Sequence, residues 1–138
     1  MDIDEILSAL ENDNHKDLLY TSLENISKDK NDILQQLQLK RENLKTMHSK
    51  LKNYRYIEEL NHLKYGQYLR WINIKNPDNI YLTNGGIFLD LKLLDTGTHV
   101  VCKNNIGKIF QFKLDECIVF QKLSDQEQII LKVFQHFK

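Results

Sequence analysis

Cysteine, glycine, proline, arginine and alanine are all scarce in this chain, and each scarcity excludes something. Its 138 residues carry two cysteines, Cys102 and Cys117. Two thiols make no disulfide framework, and the absence of a Cys-x-x-Cys spacing removes the usual zinc and dithiol redox sites. Both read as buried, reduced thiols on strands. Five glycines and one proline leave little material for phosphate-cradling loops or disordered linkers. The longest unbroken apolar run, Cys117 to Phe120, is four residues, against about 20 for a membrane-spanning helix and at least about 7 for a signal-peptide core. The expectation is a soluble, intracellular protein with no membrane insertion. Net charge is also missing: 19 Lys and Arg balance 19 Asp and Glu. No global field draws in nucleic acid or anionic lipid, so any such binding has to be local. The length suits one domain, or a helical arm plus one small domain, and is too short for a large α/β enzyme. Arginine at 3 against lysine at 16, and alanine at 1 against isoleucine at 14 and asparagine at 13, is the bias of an AT-rich genome, which speaks of source and not of function.

Two regions with different periods stand out. Ile3, Ile6, Leu7 and Leu10 recur at helical spacing behind Asp2 and Asp4, residues suited to a helix N-terminus. From Leu19 the apolar positions step by four and three: Leu19, Leu23, Ile26, Lys30, Ile33, Leu37, Lys40, Leu44, Met47, Leu51 and Tyr54. No Gly or Pro interrupts residues 18 to 65. The pattern predicts a long helix with a coiled-coil seam, those eleven positions forming an oligomer interface. The alternative is a bundle folded on itself, with Ser27 to Asp32 as its turn. Residues 1–32 carry nine acids and three bases, and residues 33–65 seven bases and three acids, so an antiparallel partner helix would match acid to base. Lys40 to Arg55, with Tyr54 and Tyr56 nearby, offers phosphate contact and stacking as the other use of that charge.

After Gly66 the period becomes two. Tyr68–Asn73, Ile80–Thr83, Ile87–Leu93, His99–Lys103, Lys108–Leu114 and Cys117–Gln121 read as short strands rich in β-branched and aromatic residues. Asn84-Gly85-Gly86 and Asn104-Asn105-Ile106-Gly107 are hairpin signals. Ser124-Asp125-Gln126-Glu127 is a capping box, followed by Ile130, Val133, Phe134 and Phe137 on one helical face. The predicted architecture is α+β: a helical coiled-coil arm over residues 1–65, then a small antiparallel domain over 66–138. That domain is expected to be a meander or an SH3-like or OB-like barrel, closed by the C-terminal helix with Phe134 and Phe137 plugging its core.

No constellation for catalysis is recognisable. His15, His48, His62, His99 and His136 are scattered, and the sequence contains no His-x-x-x-His pair and no nucleophile elbow. His99 and Cys102, three apart on a strand, fall on opposite faces and suit no metal. The chain therefore reads as non-enzymatic, with no cofactor, metal or small-molecule substrate implied. Aromatic residues gather where the two periods meet. Tyr56, Tyr65, Tyr68 and Trp71 form a candidate partner patch beside the bland reading of packing within the fold.

The segments Tyr68-Leu-Arg-Trp-Ile72, Leu82-Thr-Asn-Gly-Gly86, Cys102-Lys-Asn-Asn105 and Phe120-Gln-Lys-Leu-Ser-Asp-Gln-Glu127 resemble small uncharacterised proteins of nucleocytoplasmic large DNA viruses, a likeness covering roughly residues 65 to 138. The resemblance implies a viral origin, with the host cytoplasm or the virion as location, and it carries over no site residue. Together these readings point to a structural or assembly protein that oligomerises or docks to other structural proteins, a minor capsid or scaffold component being the sharp form. The runner-up is an accessory protein that binds DNA or RNA through its small barrel or basic helical segment.

Overall fold

Ser22 accepts a hydrogen bond from the Asn25 backbone N–H at 3.1 Å, satisfying one of the donors that a helix start leaves orphaned, and α1 (Leu23–Gln35) follows. The structure is a computed structural model that describes residues 22–136 and Asp4. The helix expected around Ile3 to Leu10, the first seam position Leu19, and Phe137 lie outside the described residues. Beyond α1 come α2 (Arg41–Lys50), β1 (Tyr54–Ile57), β2 (Tyr68–Asn73), β3 (Gly86–Leu94), β4 (Gly97–Lys103), β5 (Ile109–Lys113), β6 (Cys117–Lys122) and α3 (Asp125–His136), with single 3-10 turns at Leu60–His62 and Leu114–Glu116. The chain divides into two units, a helical one of Met1–His48 with Leu123–Lys138 and a sheet unit of Ser49–Lys122.

The helical unit corrects the expected rod. α1 stops at Gln35, its last turn tightened by Leu37 N–H to Leu34 O and Gln38 N–H to Gln35 O bonds of 3.2 Å. Gln38 then takes a left-handed backbone, φ 53°. A left-handed non-glycine residue costs roughly 1–2 kcal/mol, so local preference does not favour the break. The buried stripe of α1 is Ile26, Lys30 and Leu34, a four-by-four spacing that turns away from the heptad positions Ile33 and Leu37. Leu34, absent from the seam, is fully buried. The stretch Ser27–Asp32, weighed as a turn, lies inside α1.

The second helical correction concerns α3. The capping box forms as expected: Glu127 Oε1 accepts from Ser124 N–H at 3.0 Å, and Ser124 Oγ accepts from Glu127 N–H at 3.1 Å. The apolar face of α3 packs within the helical unit. Ile130 and Leu131, with Phe134 alongside, make a separate core with Leu23, Ile26 and Leu123. Two of the eleven seam residues are thus consumed within the chain.

The sheet unit has six antiparallel strands in the order β1-β6-β2-β3-β4-β5. Strands β2 to β5 form the expected meander. The β4–β5 turn is held by Asn104, whose Oδ1 accepts from Ile106 N–H at 3.2 Å and Lys108 N–H at 2.9 Å. Strand β6 returns through three residues to lie between β1 and β2. So short a link forces the sheet to curl, and Trp71 of β2 stacks on Phe112 of β5 at 4.3 Å although β3 and β4 lie between them in the sheet. The curl does not close: among the described residues β5 and β1 share no ladder, so the sheet is open with β1 and β5 as edges rather than barrel-like. One strand was not expected at all. Tyr54–Ile57, read as the end of the helical arm, pairs with β6, while Ile80–Thr83, read as a strand, contributes only a bridge from Leu82 to Ile72.

Candidate interaction surface on the sheet

Strand alternation assigns every side chain of the sheet to one of two faces. The inner face carries the core: Ile57, Leu69, Trp71, Phe88, Val100, Cys102 and Val119, with Phe110, Phe112, Leu63 and Leu114 packed against them. Gln121, also on this face and fully buried, donates from Nε2 to His62 O at 3.0 Å and accepts from Lys64 N–H at 2.8 Å. A single buried amide therefore pins the 60–64 segment over the core, with both of its polar ends satisfied as burial demands.

The outer face is mixed: Phe120, Ile118, Ile72 and Val101 are buried on it, and the side chains around them are half-buried or exposed. The pairings Tyr54↔Lys122, Tyr68↔Ile87, Ile87↔Lys103 and Lys103↔Ile109, joined through Leu69↔Gln121 of the β2–β6 ladder, place six residues in one row across the whole sheet. Read from edge to edge it runs Tyr54, Lys122, Tyr68, Ile87, Lys103, Ile109. At about 4.8 Å per strand the row is roughly 24 Å long. Two ammonium groups, Lys122 and Lys103, stand among four aromatic or aliphatic side chains, and the row ends on Ile109, which is 63% exposed. Ile106, in the turn beside it, is 82% exposed. The same face carries Arg70, Lys92 and Lys113 against one acid, Asp90, by the same alternation. Asp90 is itself occupied by the Leu91 N–H at 2.8 Å.

Local contacts fix the row. The Tyr68 hydroxyl donates to Asn84 O at 2.8 Å and Arg70 Nε to Thr83 O at 2.9 Å, so the loop before β3 lies along β2. Gly85, at φ +88°, makes this approach available: a Cβ there would fall 2.0 Å from Leu69 O and 2.9 Å from the Tyr68 ring. Burial pushes the Tyr54 phenol above its ordinary value, partly countered by the Arg70 charge. Near β5, Gln111 Nε2 lies 3.4 Å from His99 Nδ1, and His99 Nε2 lies 3.0 Å from Thr96 Oγ1.

The expected partner patch is divided by the fold. Tyr56 and Tyr68 share the outer face, Tyr56 meeting Phe120 at a ring distance of 6.0 Å. Trp71 is on the inner face, 6% exposed and part of the core, and Tyr65, 77% exposed, is in the β1–β2 connection. The expected oligomer interface is dispersed. Leu23, Ile26, Lys30 and Ile33 lie on α1, Leu37 and Lys40 in the connection, Leu44 and Met47 on α2, Leu51 just beyond it, and Tyr54 on β1. Burial lowers the Lys30 ammonium pKa, and burial together with the Lys30 charge lowers that of His48. Of the row, sequence reasoning singled out only Tyr54 and Tyr68, each for another reason. The Asn104–Gly107 turn does encode the Lys103↔Ile109 pairing, but nothing local encodes the placement of β6 between β1 and β2.

His99 and Cys102 stand on opposite faces, as their spacing requires. Both thiols are pushed up to about 12, Cys102 by burial and Cys117 by burial and then the neighbouring Glu116 and Asp115. Among the described residues no group of three His, Cys, Asp or Glu side chains is placed to hold a metal ion, and no helix is long and apolar enough to cross a membrane. Comparison with protein-family models, curated proteins and solved structures gives no match.

Proposed function

We propose that this chain is a non-enzymatic assembly protein that docks to other proteins, or to further copies of itself, through the outer face and open edge of its sheet. The observation that carries the reading is the row from Tyr54 to Ile109, which delivers apolar and cationic groups to an edge strand where Ile109 stands exposed, with exposed Ile106 in the adjoining turn. Single exposed aliphatics are ordinary, but a run of them ending on an edge with unpaired backbone groups is a docking feature. Aromatic and apolar groups at the centre, with polar groups kept to a solvated rim, are how a protein interface is built. With the resemblance of residues 65–138 to proteins of large DNA viruses, a minor capsid or scaffold component is the specific form of this reading.

A second reading has its own support. Lys122 between Tyr54 and Tyr68, with Arg70 beside them, also suits a single-stranded nucleic acid, whose phosphates need cations and whose bases need flat rings. A salt series separates the two. Sedimentation of the full chain, alone and with a random DNA oligonucleotide, is expected to show self-association that changes little with salt and weakens in Ile109→Ser. DNA binding that falls steeply with salt and is lost in Lys103→Glu with Lys122→Glu would replace the first reading by the second.

A further inference from the structure

The docking reading leaves the partner open, and strand β5 narrows it. Phe110 and Phe112 flank Gln111 symmetrically, and the next pair out is Ile109 and Lys113. In an antiparallel pair built on a two-fold axis, residues equidistant from the axis face each other. We propose that β5 pairs with β5 of a second copy, the axis passing through Gln111, to make one continuous sheet of two chains. This rests on the docking reading and names its partner.

The chemistry agrees at each position. Among the described residues β5 is paired on one side only, with β4, so its other side presents backbone donors and acceptors that an extended strand satisfies. On the inner face Phe110 and Phe112 are only half-buried, although Trp71 lies 5.7 Å and 4.3 Å from their rings. The two-fold register sets Phe110 against Phe112 of the second copy, twice, covering the remaining flanks of both rings with aromatic cross-strand pairs. On the outer face, Lys113 comes opposite Ile109 of the second copy and not opposite another lysine, so its stem can cover the isoleucine while the ammonium stays in water. Gln111 meets its own symmetry mate. An amide is both donor and acceptor, so the pair can bond to itself and extend the Thr96–His99–Gln111 network across the axis. Lys108, just before β5, and Lys113, at its end, oppose slipped registers that bring like charges together.

Gln111 is exposed, so its variants leave the core untouched and test the axis. Directly facing Cα atoms in an antiparallel pair are about 4.5–5.5 Å apart, within the range a disulfide spans. Gln111→Cys in the full chain is expected to form a covalent dimer under mild oxidation, while the wild-type chain does not. Ile109→Cys mixed with Lys113→Cys should crosslink, and Lys113→Cys alone should not. Gln111→Lys, which sets two ammonium groups on the axis, should lose the dimer with an unchanged melting profile of the monomer. A wild-type chain that sediments as a monomer at its highest soluble concentration overturns the pairing. A dimer indifferent to Gln111→Lys but dissolved by Lys103→Glu with Lys122→Glu also overturns it, and leaves the broader docking reading standing on the face of the sheet.

Discussion

Gly85→Ala is the sharpest probe of how the row is held, because Gly66 supplies a matched control. Both glycines have left-handed backbones, φ +88° and +85°. A Cβ on Gly66 meets nothing within 4 Å, whereas one on Gly85 falls 2.0 Å from the Leu69 carbonyl and 3.1 Å from Arg70 Cγ. Gly66→Ala therefore bears only the left-handed penalty of roughly 1–2 kcal/mol, offset by about 0.4–1 kcal/mol from the reduced freedom of the unfolded chain. A net loss of about 1 kcal/mol follows. Gly85→Ala adds a collision that only backbone movement relieves, since real Cβ contacts stay beyond 3.0 Å. The moving backbone would be β2 at Leu69, which pairs with Gly86 on one side and Gln121 on the other. Losing one of those pairings together with the Tyr68–Asn84 bond raises the total to about 4 kcal/mol or more, the range reserved for strain and broken networks. Native proteins hold about 0.05–0.15 kcal/mol per residue, so such a loss removes most of what a domain of this size has. Urea denaturation followed by Trp71 fluorescence gives both numbers. Equal losses for the two variants would show that the loop does not lie against β2 as described, and the placement of Tyr68 would fall with it.

Other consequences can be checked on the same protein. Trp71→Ala should cost about 3–5 kcal/mol as a buried aromatic truncation, while Tyr65→Ala should stay within about 0.5 kcal/mol; similar losses would contradict their assignment to core and surface. With both thiols pushed up to about 12, a thiol reagent at pH 8 should react only after denaturant is added. Because both native values are raised, the thiols' stabilising contribution is complete below the ordinary value of 9.0 and is lost as pH rises toward 12. Rapid labelling of the folded chain at pH 8 would contradict their burial. His48 behaves with the opposite sign: its native value is lowered by burial and then by Lys30, so its contribution is complete above its ordinary value of 6.5 and is lost as pH falls through the native one. In an NMR titration Lys30→Met should move the His48 midpoint upward, and an unmoved midpoint would separate the two residues.

Much of the sheet was legible, for local reasons. β2 matches its expected span, and β3, β4, β5 and β6 match to within one or two residues, because alternation and the Asn104–Gly107 turn are written in adjacent residues, whereas Asn84-Gly85-Gly86 joins no hairpin. The capping box of α3 was legible on the same grounds. What failed was non-local. Tyr54-Arg55-Tyr56-Ile57 alternates as a strand should, but Tyr54 also fits the heptad, and its partner Lys122 is far along the chain. The end of α1 carries no Gly or Pro, so nothing before Gln38 announces a left-handed residue. α3 announced which face is apolar without saying what it would cover, and that proved to be α1. The outer row exists only once β6 is inserted between β1 and β2, which is why its cations at Lys122 and Lys103 could not be joined from spacing alone.

The most direct test of docking through the open edge is amide hydrogen exchange of the full chain, compared between dilute and concentrated solution. The β4-facing amides of Ile109–Lys113 are already in a ladder and should be protected at both concentrations. The remaining amides of β5 should exchange fast when dilute and slowly when concentrated, with the amides of β1 unchanged. Exchange in β5 that is independent of concentration, or new protection confined to α1 and α2, would contradict the account.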